Sequence, residues 1–231
     1  MPKKYIVTID GAAGTGKSTS AGMLAERLGW LYVNSGYIYR AATLLGLRAK
    51  LFDREDLKDH EIESELVKLM RDTQFDFKRA DGGAAHMYLN DEDVTPLLKS
   101  HEVEIRVSPV AQYMKVREEA VIIQRREAEK NSLVVEGRDT GTVVFPDADV
   151  KFYLTASLDV QADRQMKERN ARGEPQLTMD ELKRQIAVRD ARDLERHLRK
   201  PEGAIEVNTD KINAEEVVNL LERQVRASLN L

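Results

Sequence analysis

Short apolar runs separated by amphipathic stretches set the pattern of this chain. Tyr5 to Ile9 is a β-branched run ending at Asp10, followed by a glycine-rich turn and then Lys17 to Leu28, where Ala21, Leu24 and Leu28 recur at helical spacing. The chain therefore opens strand, loop, helix. Further buried-strand candidates are Trp30 to Val33, Leu133 to Val135, Val150 to Leu154 and Ala204 to Val207, with helical or highly charged segments between them. Strands alternating with helices predict an α/β fold in three layers, a parallel sheet of five strands covered by helices.

One region breaks the alternation. Phe75 to Lys78 and His86 to Leu89 alternate in strand fashion around Ala80-Asp-Gly-Gly-Ala, a turn signal, which predicts an antiparallel hairpin inside an inserted lobe near residues 60 to 100. From Ser100 to Lys130 the period is helical, with Val103, Val107, Val110 and Met114 on one stripe and Pro109 placed to kink or divide it. Helices are also predicted over Asp159 to Arg172, over Thr178 to Arg199 between the breakers Gly173, Pro175, Pro201 and Gly203, and over Ala214 to Leu229.

Length and composition narrow the class. The chain has 231 residues, enough for one full core with insertions, and 42% hydrophobic with 33% charged residues is ordinary for a globular protein. A net charge of -4 supplies no global basic field, so nucleic acid is not an expected partner and anion binding must come from local clusters. The absence of cysteine excludes disulfides, thiolate catalysis and Cys-based zinc sites. The N-terminus runs straight into the first strand with no signal-length or membrane-length apolar stretch, so a cytoplasmic protein without membrane attachment is expected.

The candidate chemistry begins at Gly11-Ala12-Ala13-Gly14-Thr15-Gly16-Lys17-Ser18-Thr19, which matches G-x-x-x-x-G-K-[ST] between a strand and a helix. Glycines let backbone N–H groups turn inward around a β-phosphate, and the helix that follows presents unpaired N–H groups at its positive end. Lys17 is placed to reach the β- and γ-phosphates, and the Ser18 hydroxyl to ligate the Mg²⁺ that bridges them, so ATP and magnesium are implied. A phosphate loop alone leaves GTPases, ATPases and small-molecule kinases open. The Asp-x-x-Gly and Asn/Thr-Lys-x-Asp patterns of GTPases occur nowhere in the chain.

Arginines near strand ends and in loops, Arg40, Arg117, Arg138, Arg189 and Arg196, suit a reaction between two anions, whose charges must be neutralised together. Arg138, in Gly137-Arg-Asp-Thr-Gly directly after an apolar strand, lies where open α/β sheets form their ligand crevice. Ser35 and Arg40, in Ser35-Gly-Tyr-Ile-Tyr-Arg, likewise follow a strand candidate. Arg189 and Arg196 sit on a charged helix, where a solvated face is the ordinary alternative.

Four motifs together resemble the bacterial cytidylate kinases, a family of nucleoside monophosphate kinases, along nearly the whole chain. They are Asp10-Gly-Ala-Ala-Gly-Thr-Gly-Lys-Ser-Thr, Ser35-Gly-Tyr-Ile-Tyr-Arg-Ala, Gly137-Arg-Asp-Thr-Gly-Thr-Val-Val-Phe-Pro-Asp-Ala and Arg189-Asp-Ala-Arg-Asp. The resemblance implies a P-loop NTPase fold that transfers the ATP γ-phosphate to CMP or dCMP. It implies a single domain, with a core over 1–34, 101–157 and 174–231, a monophosphate-binding insert over about 35–100 and a helical lid over about 158–173.

By the same resemblance Ser35, Ser108, Arg117 and Asp139 surround the cytosine, with Asp139 and Ser108 near its exocyclic amine and Tyr39 in the same substrate set. Arg40, Arg138 and Arg196 resemble residues that hold the CMP phosphate, Arg189 and Asp193 those that hold the sugar hydroxyls, and Arg164 a lid residue that touches phosphate or adenine. Lys17, Arg138, Arg164 and Arg196 form the implied catalytic set, and a monomer is expected. The chain departs from the family pattern at Asn34 and Glu136, where aspartate is usual, and at Gln165, where arginine is usual. A kinase for another small acceptor such as UMP, or a nucleotide-binding regulatory protein, are the alternatives to CMP phosphorylation.

Overall fold

The computed structural model describes residues 3–79, 84–171, 173, 177–196 and 198–231, the side chains of 192–196 excepted. In chain order the elements begin with β1 (Ile6–Gly11), α1 (Lys17–Leu28), β2 (Leu31–Asn34), α2 (Ser35–Arg48) and α3 (Asp59–Arg71). Then come β3 (Phe75–Arg79), β4 (Ala85–Leu89), β5 (Glu92–Asp93), α4 (His101–Val110), α5 (Met114–Lys130) and β6 (Leu133–Gly137). The chain closes with β7 (Val150–Thr155), α6 (Leu158–Ala171), α7 (Met179–Arg196), β8 (Ile205–Asn208) and α8 (Ala214–Leu229). The five-stranded parallel sheet runs in the order β2-β6-β1-β7-β8, and a separate antiparallel sheet runs β3-β4-β5.

Two compact units are distinguished by their contacts: 1–4 with 30–133, and 5–29 with 134–231. In the second, β1 pairs with β7 and β7 with β8, all parallel. Val7 and Ile9 are fully buried, as are Thr8 and Asp10 on the other face of the strand, because a helix-covered parallel sheet hides both sides. Helix α8 lays Val217, Val218, Leu221 and Val225 onto this core, and its N-terminus carries a reciprocal cap between Asn213 and Glu216. Arg27 ties α1 to α8 through Asn219, Glu215 and Glu222. Helices α6 and α7 form a hairpin with a small core of its own, Ala162, Leu182 and Ile186, flanked by Met166 and Leu177.

In the other unit α2, α3, α4 and α5 pack with the small sheet over Leu66, Met70, Phe77, Met87, Leu98, Val103 and Val116. The hairpin pairs Phe75 with Leu89 and Phe77 with Met87, as the alternation predicts; its turn lies outside the described residues, as do Arg172 and Pro175. Pro109 divides the helical stretch as expected, in the last turn of α4, and the chain restarts as α5 at Met114. The expected apolar stripe is corrected here: Val103 and Val110 are buried, but Met114 is 62% exposed, since the break after Val110 resets the helical phase. Among the described residues no helix is long and apolar enough to cross a membrane.

Candidate active site

The phosphate loop connects β1 to α1 and needs glycine at its start. At Gly11 φ is 155° and an added Cβ would fall 2.2 Å from the Leu154 carbonyl oxygen, so no side chain fits. The Thr15 hydroxyl closes the turn onto the Ala12 carbonyl at 2.9 Å. No side chain caps the N-terminus of α1 and its first turn contains no acidic residue of its own, so the N–H groups of its positive end face the loop.

The loop is braced from outside. Arg164, on α6, donates from Nη1 to the Gly14 carbonyl at 3.2 Å and to Thr209 Oγ1 at 2.9 Å, and from Nη2 to the Thr209 carbonyl at 2.7 Å. Thr209, fully buried at the end of β8, lies with its hydroxyl 3.1 Å from the Thr15 carbonyl.

Lys17 is 8% exposed, and its ammonium donates to the Ala12 carbonyl at 2.6 Å. Burial, then the neighbouring Arg138 and Arg189, push its pKa down to about 7 against the opposing pull of Glu136 and Asp10. A lysine that loses its charge so readily sits in a positive, poorly hydrated place, which an anionic ligand would relieve. Arg138 leaves β6 and donates to the Gly11 carbonyl at 2.9 Å, so the loop after β6 and the phosphate loop are joined by a cation.

The Ser18 hydroxyl donates to Glu136 Oε1 at 2.8 Å, and Glu136 is 5% exposed. A hydroxyl beside a buried carboxylate fits Mg²⁺, which takes most of its ligands from water and phosphate rather than from a protein cage. Among the described residues no cluster of three or more His, Cys, Asp or Glu could hold a metal by itself. Asp10 is fully buried; burial raises its carboxyl pKa, against hydrogen bonds from Gly141 N, Thr140 N and the Thr140 hydroxyl, and nearby Asp139 raises it too. Asp139 is buried, and its carbonyl begins a π-type turn over Thr140–Val144.

Of the remaining predicted residues, Ser35, Tyr39, Arg40, Ser108 and Arg117 fall in the other unit, and Arg189, Asp193 and Arg196 on α7. Ser35 is the buried first residue of α2; Asn34 holds the cap position and directs its amide to the Tyr32 hydroxyl at 3.3 Å. Arg40 donates to the Leu98 carbonyl at 2.9 Å and pairs with Glu104. Arg117 lies 5.6 Å from the Tyr39 ring centroid, a cation–π distance, and donates to the Ala111 carbonyl at 3.1 Å. Ser108 is exposed on α4. Arg189 is exposed on α7, and the side chains of Asp193 and Arg196 lie outside the described residues.

Thr209 and the roles of Thr140 and Asp10 escape a reading of the sequence. The one available signal is their place at or beside strand ends, where α/β folds put ligand-facing loops. Gln165 is half-buried on α6 beside Arg164.

A family model described as cytidylate kinase matches residues 7–227. A cytidylate kinase of Geobacillus sp. (strain WCH70) is 42% identical over 222 residues, 95% of each chain, and that of Streptococcus sanguinis (strain SK36) is 37% identical over 97% of each. Among solved structures, an uncharacterized protein from Eubacterium ventriosum superposes with a TM-score of 0.51 at 12% identity, covering 97% of this chain and 99% of its own.

Proposed function

We propose that this chain, which belongs to the cytidylate kinase family, transfers the γ-phosphate of ATP to CMP and dCMP, giving ADP and the corresponding diphosphate. The observation that carries the reading is the phosphate loop itself, closed at Gly11 where no side chain fits, with the buried Lys17 ammonium 2.6 Å from the Ala12 carbonyl and Arg138 on the Gly11 carbonyl at 2.9 Å. Backbone N–H groups of Gly11 to Thr19 cradle the ATP phosphates, and Lys17 regains its full charge against them. Ser18, with Glu136 beside it, would hold Mg²⁺, which would supply charge neutralisation to the ATP phosphates.

The attacking oxygen of the CMP phosphate is already anionic, so the residues need only align two anions and stabilise the charge spread over the transferring group. Arg138, with Arg196 and Arg40, holds the acceptor phosphate; Arg189 and Asp193 hold the sugar. Ser35, Tyr39, Ser108, Arg117 and Asp139 select the base. Arg164 serves the ATP side, where the lid over about 158–173, built on α6, closes to exclude water and so suppress hydrolysis. The division into a core, an insert over about 35–100 and a lid over about 158–173 belongs to this reading, as do a monomeric state and a cytoplasmic location.

A coupled ATP-consumption assay with CMP, dCMP, UMP and a sugar acid tests it. CMP and dCMP are expected to stimulate turnover strongly and UMP weakly. ATP turnover that no monophosphate stimulates would refute the reading.

A further inference from the structure

Asp10 carries no role in the transfer described above, yet its carboxylate is the most completely enclosed acid beside the phosphate loop. It is fully buried at the end of β1. Its Oδ1 accepts from Thr140 N and from the Thr140 hydroxyl, both at 2.8 Å, and its Oδ2 accepts from Gly141 N at 2.7 Å. Those donors belong to the two residues that follow Arg138 and Asp139. On the neighbouring residue, the Gly11 carbonyl receives Arg138 at 2.9 Å. The packing leaves no slack: a Cβ on Gly141 would meet Thr8 Oγ1 at 2.8 Å, Pro201 Cγ at 2.9 Å and Asp10 Oδ2 at 3.2 Å.

We propose that Asp10 is a positioning residue for the acceptor side of the reaction, its carboxylate fixing the 138–141 loop to β1 so that Arg138 and Asp139 meet the incoming monophosphate in a set register. The inference rests on the CMP reading for the identity of that acceptor. The donor side has anchors of its own: Arg164 on Gly14, Thr209 beside Thr15, Thr15 on Ala12, and the pairing of Gly11 with Leu154. Loss of the Asp10 carboxylate therefore falls on the acceptor loop and spares the phosphate loop. A burial-raised carboxyl has reason to be kept at this position only if its three acceptor bonds do something an apolar residue could not.

The test is Asp10→Asn, with Thr140→Val and Thr140→Ser beside it. An amide in either orientation sets an NH₂ against a backbone N–H, so kcat/KM for CMP is expected to fall about 10- to 100-fold. ADP affinity, measured by calorimetry, is expected to stay within about threefold, since its anchors are intact. Thr140→Val keeps the shape and loses the donor; Thr140→Ser keeps the donor and loses a methyl. Lower CMP efficiency in T140V than in T140S supports hydrogen-bonded positioning.

Unchanged CMP efficiency in D10N, or ADP affinity that falls in step with it, overturns the proposal. Should D10N fail to fold, the Thr140 pair decides: T140V performing as well as T140S overturns it. Failure of the parent reading shows separately, as wild-type protein without CMP turnover, and this inference falls with it.

Discussion

The hydroxyl of Ser18 is hydrogen-bonded to Glu136 Oε1 at 2.8 Å, which joins the first turn of α1 to the end of β6. An aspartate here would be one methylene shorter, so the glutamate carboxylate reaches further with the same charge. Glu136→Gln keeps the length and removes the charge, and is expected to raise the Mg²⁺ concentration for half-maximal turnover by about 10- to 100-fold. Glu136→Asp is expected to stay close to wild type. Magnesium titrations of initial rate check both, and a Gln variant with an unshifted titration would remove Glu136 from the metal's surroundings.

Lys17 gives the protein a titration near neutrality. Its pKa of about 7 in the folded chain lies below its ordinary 10.5. Between those values the unfolded chain binds the proton and the folded one does not, so this group's contribution to stability rises with pH from about 7 to about 10.5 and is unfavourable below 7. Phosphate charge pulls the pKa back up. Nucleotide binding at pH 8 should therefore take up close to one proton, and at pH 6 almost none, because a group with pKa about 7 is mostly neutral at the first and mostly charged at the second. Calorimetry in buffers of different ionisation enthalpy measures the uptake. Lys17→Met should abolish its pH dependence and lower kcat by about 10²- to 10³-fold.

How legible this site was from sequence depends on chain separation. Lys17 and Ser18 lie inside one contiguous motif whose spacing is the geometry, so a pattern finds them. Strands β6 and β7 and helix α8 announce themselves by β-branched runs and by the 3.6 period. Helix α3 does not: Leu66, Val67 and Met70 are buried in a stretch otherwise full of charge, and the helix hides within the lobe predicted over 60 to 100. The pairs Asp10 with Thr140 and Arg164 with Thr209 are separated by 130 and 45 residues, and no local periodicity encodes such a meeting. Asp10 was visible as a member of a motif and Arg164 through the resemblance; what they touch was not.

The Arg164 brace predicts a one-sided kinetic defect. Three hydrogen bonds from one guanidinium reach Gly14 and Thr209. A lysine cannot reproduce that planar fork. Both Arg164→Lys and Arg164→Ala are expected to raise the KM for ATP, the alanine variant by about tenfold, with the KM for CMP held within about twofold. Initial-rate kinetics at saturating cosubstrate measure each; equal rises in the two constants would place Arg164 elsewhere than on the ATP side.

Base choice should turn on Asp139. Cytosine offers an N4–H₂ donor where uracil has a carbonyl oxygen, and a buried carboxylate can accept from the first but meets the second with an unpaired acceptor on each side. Asp139→Asn replaces one oxygen with a donor and can satisfy uracil. The ratio of kcat/KM for CMP to that for UMP is expected to fall by about 10- to 100-fold, through a loss with CMP and a gain with UMP. The π-type turn should survive the change, because backbone carbonyls make its bonds: Asp139 accepts from Val144 N at 3.3 Å and Thr140 from Phe145 N at 2.7 Å. An unaltered ratio in a variant of wild-type thermal stability would mean that another group reads the base, and Ser108→Ala would then be the substitution to compare.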